Sequence, residues 1–371
     1  MKDGNSSGAH ETNLDFVRAI AVLIVVSAHL AWFFGNVHVG FLDLAMLGKL
    51  GVMIFFVHSG IVNMLSIERH VRKSGEKRLF WAFMARRCFR IYPLSILVVS
   101  FIFLTKLPIG HLEAFTSIPG RDANLALVPS LLLVQNFVRV DQILEPLWSL
   151  PYEVQIYCLF PVLFLALQRC KSPRLLIFAW ALLALLDTVI APHFLKYANL
   201  GSLVVIPDML FYLLMFMAGL CAYKEMQASR RQVAFWALPA LLATIGVVWC
   251  LSDGQTKCIL GSFCFGSALP SIEGCPVAWL NHACAWVAKY SFGIYLLHDP
   301  AIWVAFVRFH HVPVAARVVI FLGITFGASV LVYHLVEHPM IRVGNRVAAA
   351  IGGTGTPAKP KVRAVLAGIA G

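Results

Sequence analysis

The sequence predicts an all-α integral membrane protein of about ten transmembrane helices, alternatively eleven, with both termini in the cytoplasm. Three observations predict it. Of 371 residues, 60% are hydrophobic and 13% are charged, against roughly 45–50% and about 25% in soluble domains. The apolar residues fall in runs near the roughly 20 residues a helix needs to cross a bilayer. Lys and Arg collect in alternate short loops, as the positive-inside rule requires. Such a composition excludes a disordered chain, a coiled coil and a collagen-like fibre, and it argues against a soluble enzyme.

The elements follow in order. Residues 1–14 are small and polar and read as a mobile tail; residues 15–340 form the membrane domain. The first run, about 15–34, has Arg18 as a basic flank but no small-residue cleavage site, so it reads as a span rather than a signal peptide. Further spans are expected near 47–66, 90–106, 147–168, 174–191, 203–222, 233–251, 257–272, 290–308 and 315–337. The stretch 125–138 is apolar but short, a re-entrant or interfacial piece or the eleventh span.

Segment 68–90 carries Arg69, Arg72, Lys73, Lys77, Arg78, Arg86, Arg87 and Arg90, which fixes it in the cytoplasm. Ten spans then also place loops 169–174 and 223–232 and the tail inside. That tail, 341–371, holds Arg342, Arg346, Lys359, Lys361 and Arg363 and reads as flexible and basic. The net charge of +12 is thereby accounted for by orientation. No basic stretch is built as a nucleic-acid module, so no nucleic-acid partner is expected. The partner that composition does imply is the lipid bilayer.

The cysteines are scattered through apolar runs without a CxxC pair. Cys250 and Cys258 flank a predicted external loop and are candidates for a disulfide in an oxidising compartment. No GxSxG elbow, P-loop or HExxH motif occurs, and no metal site is expected. His38 and Asp43 match the H-x-x-x-x-D spacing of glycerolipid acyltransferases, but a chain with 13 His supplies that spacing readily by chance, and the pair falls in a short external loop.

Ionisable groups inside spans are costly and mark function by default. His29 lies in the first span and Glu153 in the fourth, each about 8 Å below the outer boundary if the helices are regular, so the two are expected to share a layer. Tyr157 is four residues past Glu153, on the same helix face. Trp148 and Ser149 stand at the rim above them, Trp148 equally able to serve as an interfacial anchor. Ser59 and His298 fall near mid-membrane. Arg87 and Arg90, three residues apart on one face, stand with Arg86 at the inner mouth of the third span. These groups trace a polar track through the bilayer. A transferase and a proton-coupled transporter of a small carboxylate or glycan would both use one; no internal repeat supports the transporter.

Six motifs in order resemble one family. They are the Asp15–Arg18 opening with His29; Phe55-Phe56-Val57-His58-Ser59-Gly60; Arg87-Cys88-Phe89-Arg90-Ile91-Tyr92-Pro93; Trp148-Ser149-Leu150-Pro151-Tyr152-Glu153 with Tyr157 and Pro161; Tyr290 to His298; and Glu337-His338-Pro339. Over about residues 12–345 the chain resembles the acyltransferase-3 family of integral membrane O-acyltransferases that modify bacterial surface glycans. His58 stands where that signature is usually apolar.

The resemblance implies an enzyme of the bacterial inner membrane that moves an acyl group, usually acetyl, from cytoplasmic acyl-CoA to a carbohydrate hydroxyl. It implies no permanently bound cofactor; acetyl-CoA or another acyl-CoA is the donor substrate and a glycan the acceptor. Guanidinium groups bind phosphate oxygens bidentately and stay charged, so Arg87, Arg90 and Arg86 are the candidate donor-binding residues. A sugar hydroxyl needs a base; His29 is the candidate, with Glu153 to orient it. Ser59, Trp148, Ser149, Tyr157 and His298 are candidates for the acyl path or the acceptor.

Overall fold

The computed structural model describes residues 3–40, 42–107, 123–169, 172–190, 205–227, 232–252 and 254–352. Helix α1 (Asp3–Phe33) ends where Gly35 and Asn36 take positive φ, and it leads into a hairpin of β1 (His38–Val39) and β2 (Leu42–Asp43). His38 and Asp43 are register partners across that hairpin, so their H-x-x-x-x-D spacing reflects a turn. Helix α2 (Leu47–Ser74) closes on Gly75, whose φ of 72° lets its N–H reach the Val71 carbonyl at 2.8 Å. Helix α3 (Leu79–Thr105) follows.

Helices α4 (Ala123–Leu132) and α5 (Gln135–Val138) break at Leu133, whose φ is 55°. At 10 and 4 residues neither reaches across a bilayer, which gives the eleven-span alternative no support from length. A 3-10 turn (Glu145–Trp148) precedes α6 (Leu150–Tyr157) and α7 (Phe160–Arg169). Then come α8 (Pro173–Leu185), α9 (Val205–Met226), α10 (Ala237–Leu251), α11 (Thr256–Ala268) and α12 (Ala278–Ile302), the last continued by a π-helix to Arg308. Helix α13 (Val314–Gly352) is the last element among the described residues, with π segments at Gly323–Ala328 and Tyr333–Glu337.

The protein is thus an all-α, multi-pass membrane protein. Among the described residues, each of the ten expected runs is mostly helical. By length and hydropathy, five helices among the described residues can cross a bilayer, or six if the bent pair Glu145–Tyr157 and Phe160–Arg169 is one span.

The core is built on α2, which packs between α1 and α9, with α12 on the other side of α1. Gly60 on α2 meets Gly219 on α9: a Cβ at Gly60 would lie 2.5 Å from the Phe216 carbonyl oxygen. Without side chains there, the two backbones close to contact, the way small residues pack membrane helices.

Two expectations, both about the termini, are corrected. The N-terminal tail is helical from Asp3, and Asn13 is buried, donating from Nδ2 to the carbonyls of Ile272 and Glu273, each at 3.0 Å. The tail read as flexible from 341 is helical to Gly352, where it packs on α3 with Gly344 against Phe89. Lys359, Lys361 and Arg363 lie outside the described residues. Cys250 and Cys258 are free thiols, with Cys250 turned to the Asp43 carbonyl.

Candidate active site

Four helices bring basic and acidic groups to one cavity of about 90 Å³. Helix α1 contributes Arg18, α2 contributes His58, Ser59 and Asn63, α3 contributes Arg87 and Arg90, and α6 contributes Glu153 and Tyr157. Ser291 and Tyr295 of α12, with Ser149, complete the polar lining.

The sequence places these groups by simple periodicity. Arg87 and Arg90 share a face of α3, as do Glu153 and Tyr157 on α6. Tyr157 donates a hydrogen bond to Glu153 Oε1, and Ser59 Oγ donates to the same oxygen at 3.1 Å. Asn63, one turn below Ser59, donates to its carbonyl at 2.7 Å and to its hydroxyl oxygen at 3.0 Å. Glu153 is thereby held in one orientation from two helices.

The Arg87 guanidinium lies 5.2 Å from the Phe83 ring centre and 5.6 Å from that of Tyr157, a cation–π clamp. Arg18 Nε donates to Ser291 Oγ at 2.6 Å, tying α1 to α12. Three guanidinium groups therefore face one carboxylate on this lining, so the cavity favours an anion. Glu337, buried on α13, acts on Arg90 and Arg18 within electrostatic range.

His29 lies elsewhere. Its Nδ1 donates to the Val25 carbonyl at 2.9 Å, which leaves Nε2 with a lone pair. Its ring meets that of His298 edge-on, with centres 4.9 Å apart. His298 is buried, and its Nδ1 likewise donates within its own helix, to Ile294 at 3.2 Å. Tyr295 links the two places. Its ring centre is 6.1 Å from that of His298, and its hydroxyl is 2.7 Å from Ser149 Oγ.

The expected shared layer of His29 and Glu153 is therefore corrected. Ala28 packs on Gly48, and Val25 on Gly51. This antiparallel register puts Ser59, and Glu153 with it, level with Arg18 rather than with His29. From Arg18 to His29 is eleven residues of continuous helix, about 16 Å at 1.5 Å per residue. On α12 the partners of those two residues, Ser291 and His298, are seven apart, about 10 Å. Counting depth from the outer boundary fails for Glu153 because α6 has only 8 residues and the chain bends by 49° after it. No hydrogen bond joins His29 to Glu153 among the described residues; the Val25 carbonyl orients His29 instead.

Two more candidates are redirected. Arg86, about 100° around α3 from Arg87, turns to His70 Nδ1 at 3.1 Å and is absent from the lining. Trp148 leaves the arginine cavity, while its neighbour Ser149 enters it. The sequence reading passed over Arg18, His58, Tyr295 and Glu337 as site residues. All four stand within the matched motifs, and three are ionisable inside apolar runs, which was the available signal.

A family model described as an acyltransferase domain matches residues 11–334. The chain belongs to the acyltransferase-3 family. The arginine cavity and the paired histidines are thus features of a membrane acyltransferase. Among curated proteins, this acyltransferase is similar to the peptidoglycan O-acetyltransferase OatA of Listeria monocytogenes, 31% identical over 182 residues. That match covers 44% of this chain and 26% of the relative, so the chain spans about a quarter of the protein it matches. No solved structure matches.

Proposed function

We propose that this acyltransferase moves an acyl group, acetyl in the simplest case, from cytoplasmic acyl-CoA to a hydroxyl of a cell-surface or lipid-linked carbohydrate. The observation that carries the reading is the convergence of Arg18, Arg87 and Arg90 on one small cavity below the His29–His298 pair. The family membership supports acyl transfer, and the relative's name, a peptidoglycan O-acetyltransferase, supports a glycan acceptor.

In this reading the protein resides in the bacterial inner membrane with ten spans and both termini inside, so α3 presents its arginines toward the cytoplasm. The guanidinium groups hold the anionic donor. The nucleotide bulk of the donor stays at the mouth of the cavity, and its slender thioester arm threads the cavity, which widens to admit it. The arm extends past Phe55 and Tyr295 to the level of His29. There the acceptor oxygen bonds to the acyl carbon and the C–S bond breaks. His29 Nε2 takes the hydroxyl proton and returns it to the departing thiolate. Glu153 compensates the charge of the arginines that line the cavity with it, and His298 packs the His29 ring. No permanently bound cofactor or metal is required.

The test is the alkali-labile acyl content of surface glycans. It would be compared in cells lacking the protein and in cells carrying the wild type or His29→Ala at matched levels. Acyl esters that appear with wild type alone are the expected result. Equal ester content in all three strains would overturn the reading for those glycans.

A further inference from the structure

A second cavity, of about 470 Å³, lies beside the first, and Val52 and Phe56 of α2 line both. It falls in the usual size range of small-molecule sites. Its walls combine aromatic faces with charged groups. Trp148 and Tyr212 pack with ring centres 5.7 Å apart, and Phe56 meets Tyr212 at 5.5 Å. Trp249 forms the opposite side, where Lys257 lies 5.2 Å from its ring centre and donates to the carbonyls of Trp249 and Ser252 at 2.9 and 2.7 Å. Lys49 and Asp208 also line the cavity, and neither enters an ion pair among the described residues.

Such a wall suits a sugar ring. The apolar C–H face of a pyranose lies against aromatic side chains, while its edge of hydroxyls needs donors and acceptors, which Lys49 and Asp208 supply. The height also fits. Because Ala28 packs on Gly48, the Lys49 rung of α2 stands level with His29 and above the arginine cavity. The backbone divides the two spaces residue by residue, with Trp148 in the upper one and Ser149 in the lower.

We propose that the cavity of Trp148, Tyr212, Trp249, Asp208 and Lys49 is a carbohydrate subsite that holds one sugar unit of the acceptor beside the transfer centre. This rests on the acyltransferase reading above and adds where the acceptor is recognised.

The test uses the full chain in lipid nanodiscs, without donor, titrated by calorimetry. One arm uses a soluble N-acetylglucosamine tetramer, the other a polyprenyl-phosphate-linked glucose; the arm that binds identifies the source. Acyl-CoA binding is measured on the same samples. Asp208→Asn, which keeps the side-chain shape, and Trp148→Ala, which removes the stacking face, are expected to weaken sugar binding roughly tenfold or more and to leave acyl-CoA binding unchanged. Glu153→Gln is expected to keep sugar binding. Sugar binding by wild type in neither arm, or binding equal in wild type and both variants, overturns the subsite even where acyl-CoA still binds. Sugar binding that these variants lose, in a protein that binds no acyl-CoA, supports the subsite and overturns the donor reading instead.

Discussion

Ser59 donates its hydroxyl hydrogen to Glu153 across 3.1 Å, joining α2 to the short helix α6 at the level of three arginines. The bond sets the lower of two storeys in the site: a charged cavity where an anion can be held, and a histidine pair roughly 10–16 Å higher along the helix axes. Glu153 belongs to the lower storey, so its removal should disturb charge balance before it disturbs proton transfer.

Glu153→Gln keeps the side-chain shape but leaves Arg18, Arg87 and Arg90 without the carboxylate on their lining. The expected outcome is a large loss of transfer with a raised KM for acyl-CoA. Glu153→Ala should in addition lower stability by about 1–3 kcal/mol, because it strips Tyr157 and Ser59 of their shared hydrogen-bond acceptor. Thermal unfolding in detergent and steady-state kinetics check the two parts separately.

In the proposed reaction His29 serves as the base without a carboxylate: its Nδ1 hydrogen is held by the Val25 carbonyl and Nε2 is left to accept. His29→Ala should lower kcat by about 10²–10⁴-fold and leave acyl-CoA affinity unchanged, because the arginine cavity lies below it. A matched loss of donor binding would place His29 in the lower storey and break the two-level scheme.

The helices were legible because a bilayer imposes one length and one composition on its spans. The Glu153–Tyr157 pair was legible because i and i+4 share a helix face, and the two residues do bond. Depth was not legible for Glu153, since counting by 1.5 Å per residue presumes a straight helix and α6 ends in a 49° bend. Arg18 could not be assigned to the cavity because its partner Ser291 is 273 residues away. The same holds for Trp148, whose second cavity is completed by Tyr212 and Trp249 from later helices. Arg86, adjacent in sequence to Arg87, shows the converse: neighbours on a helix point to different places.

Arg87→Lys tests whether planar geometry matters. Lysine keeps the charge but loses the fork and the stacking over Phe83 and Tyr157. The expected result is a KM for acyl-CoA raised roughly tenfold or more, the equivalent of one charge-assisted hydrogen bond, with folding unaffected. Arg86→Lys serves as the comparison. Its side chain faces His70, so donor KM should stay near the wild-type value.

Gly60→Ala tests the helix crossing that brings Ser59 to Glu153. An added Cβ would stand 2.5 Å from the Phe216 carbonyl oxygen and 3.0 Å from the Gly219 Cα. Both are backbone atoms, so relief requires α2 and α9 to separate. Overpacking of this kind costs about 1–3 kcal/mol, and here it also displaces Ser59, the adjacent residue. The variant should therefore melt earlier in detergent and lose transfer in excess of its folded fraction. Gly323→Ala is the control: it too lies in a helical segment, but nothing stands within 4 Å of its added Cβ. That change should leave melting and transfer unaltered. A Gly60→Ala protein that melts with wild type would show that α2 and α9 do not pack as closely as the two glycines allow.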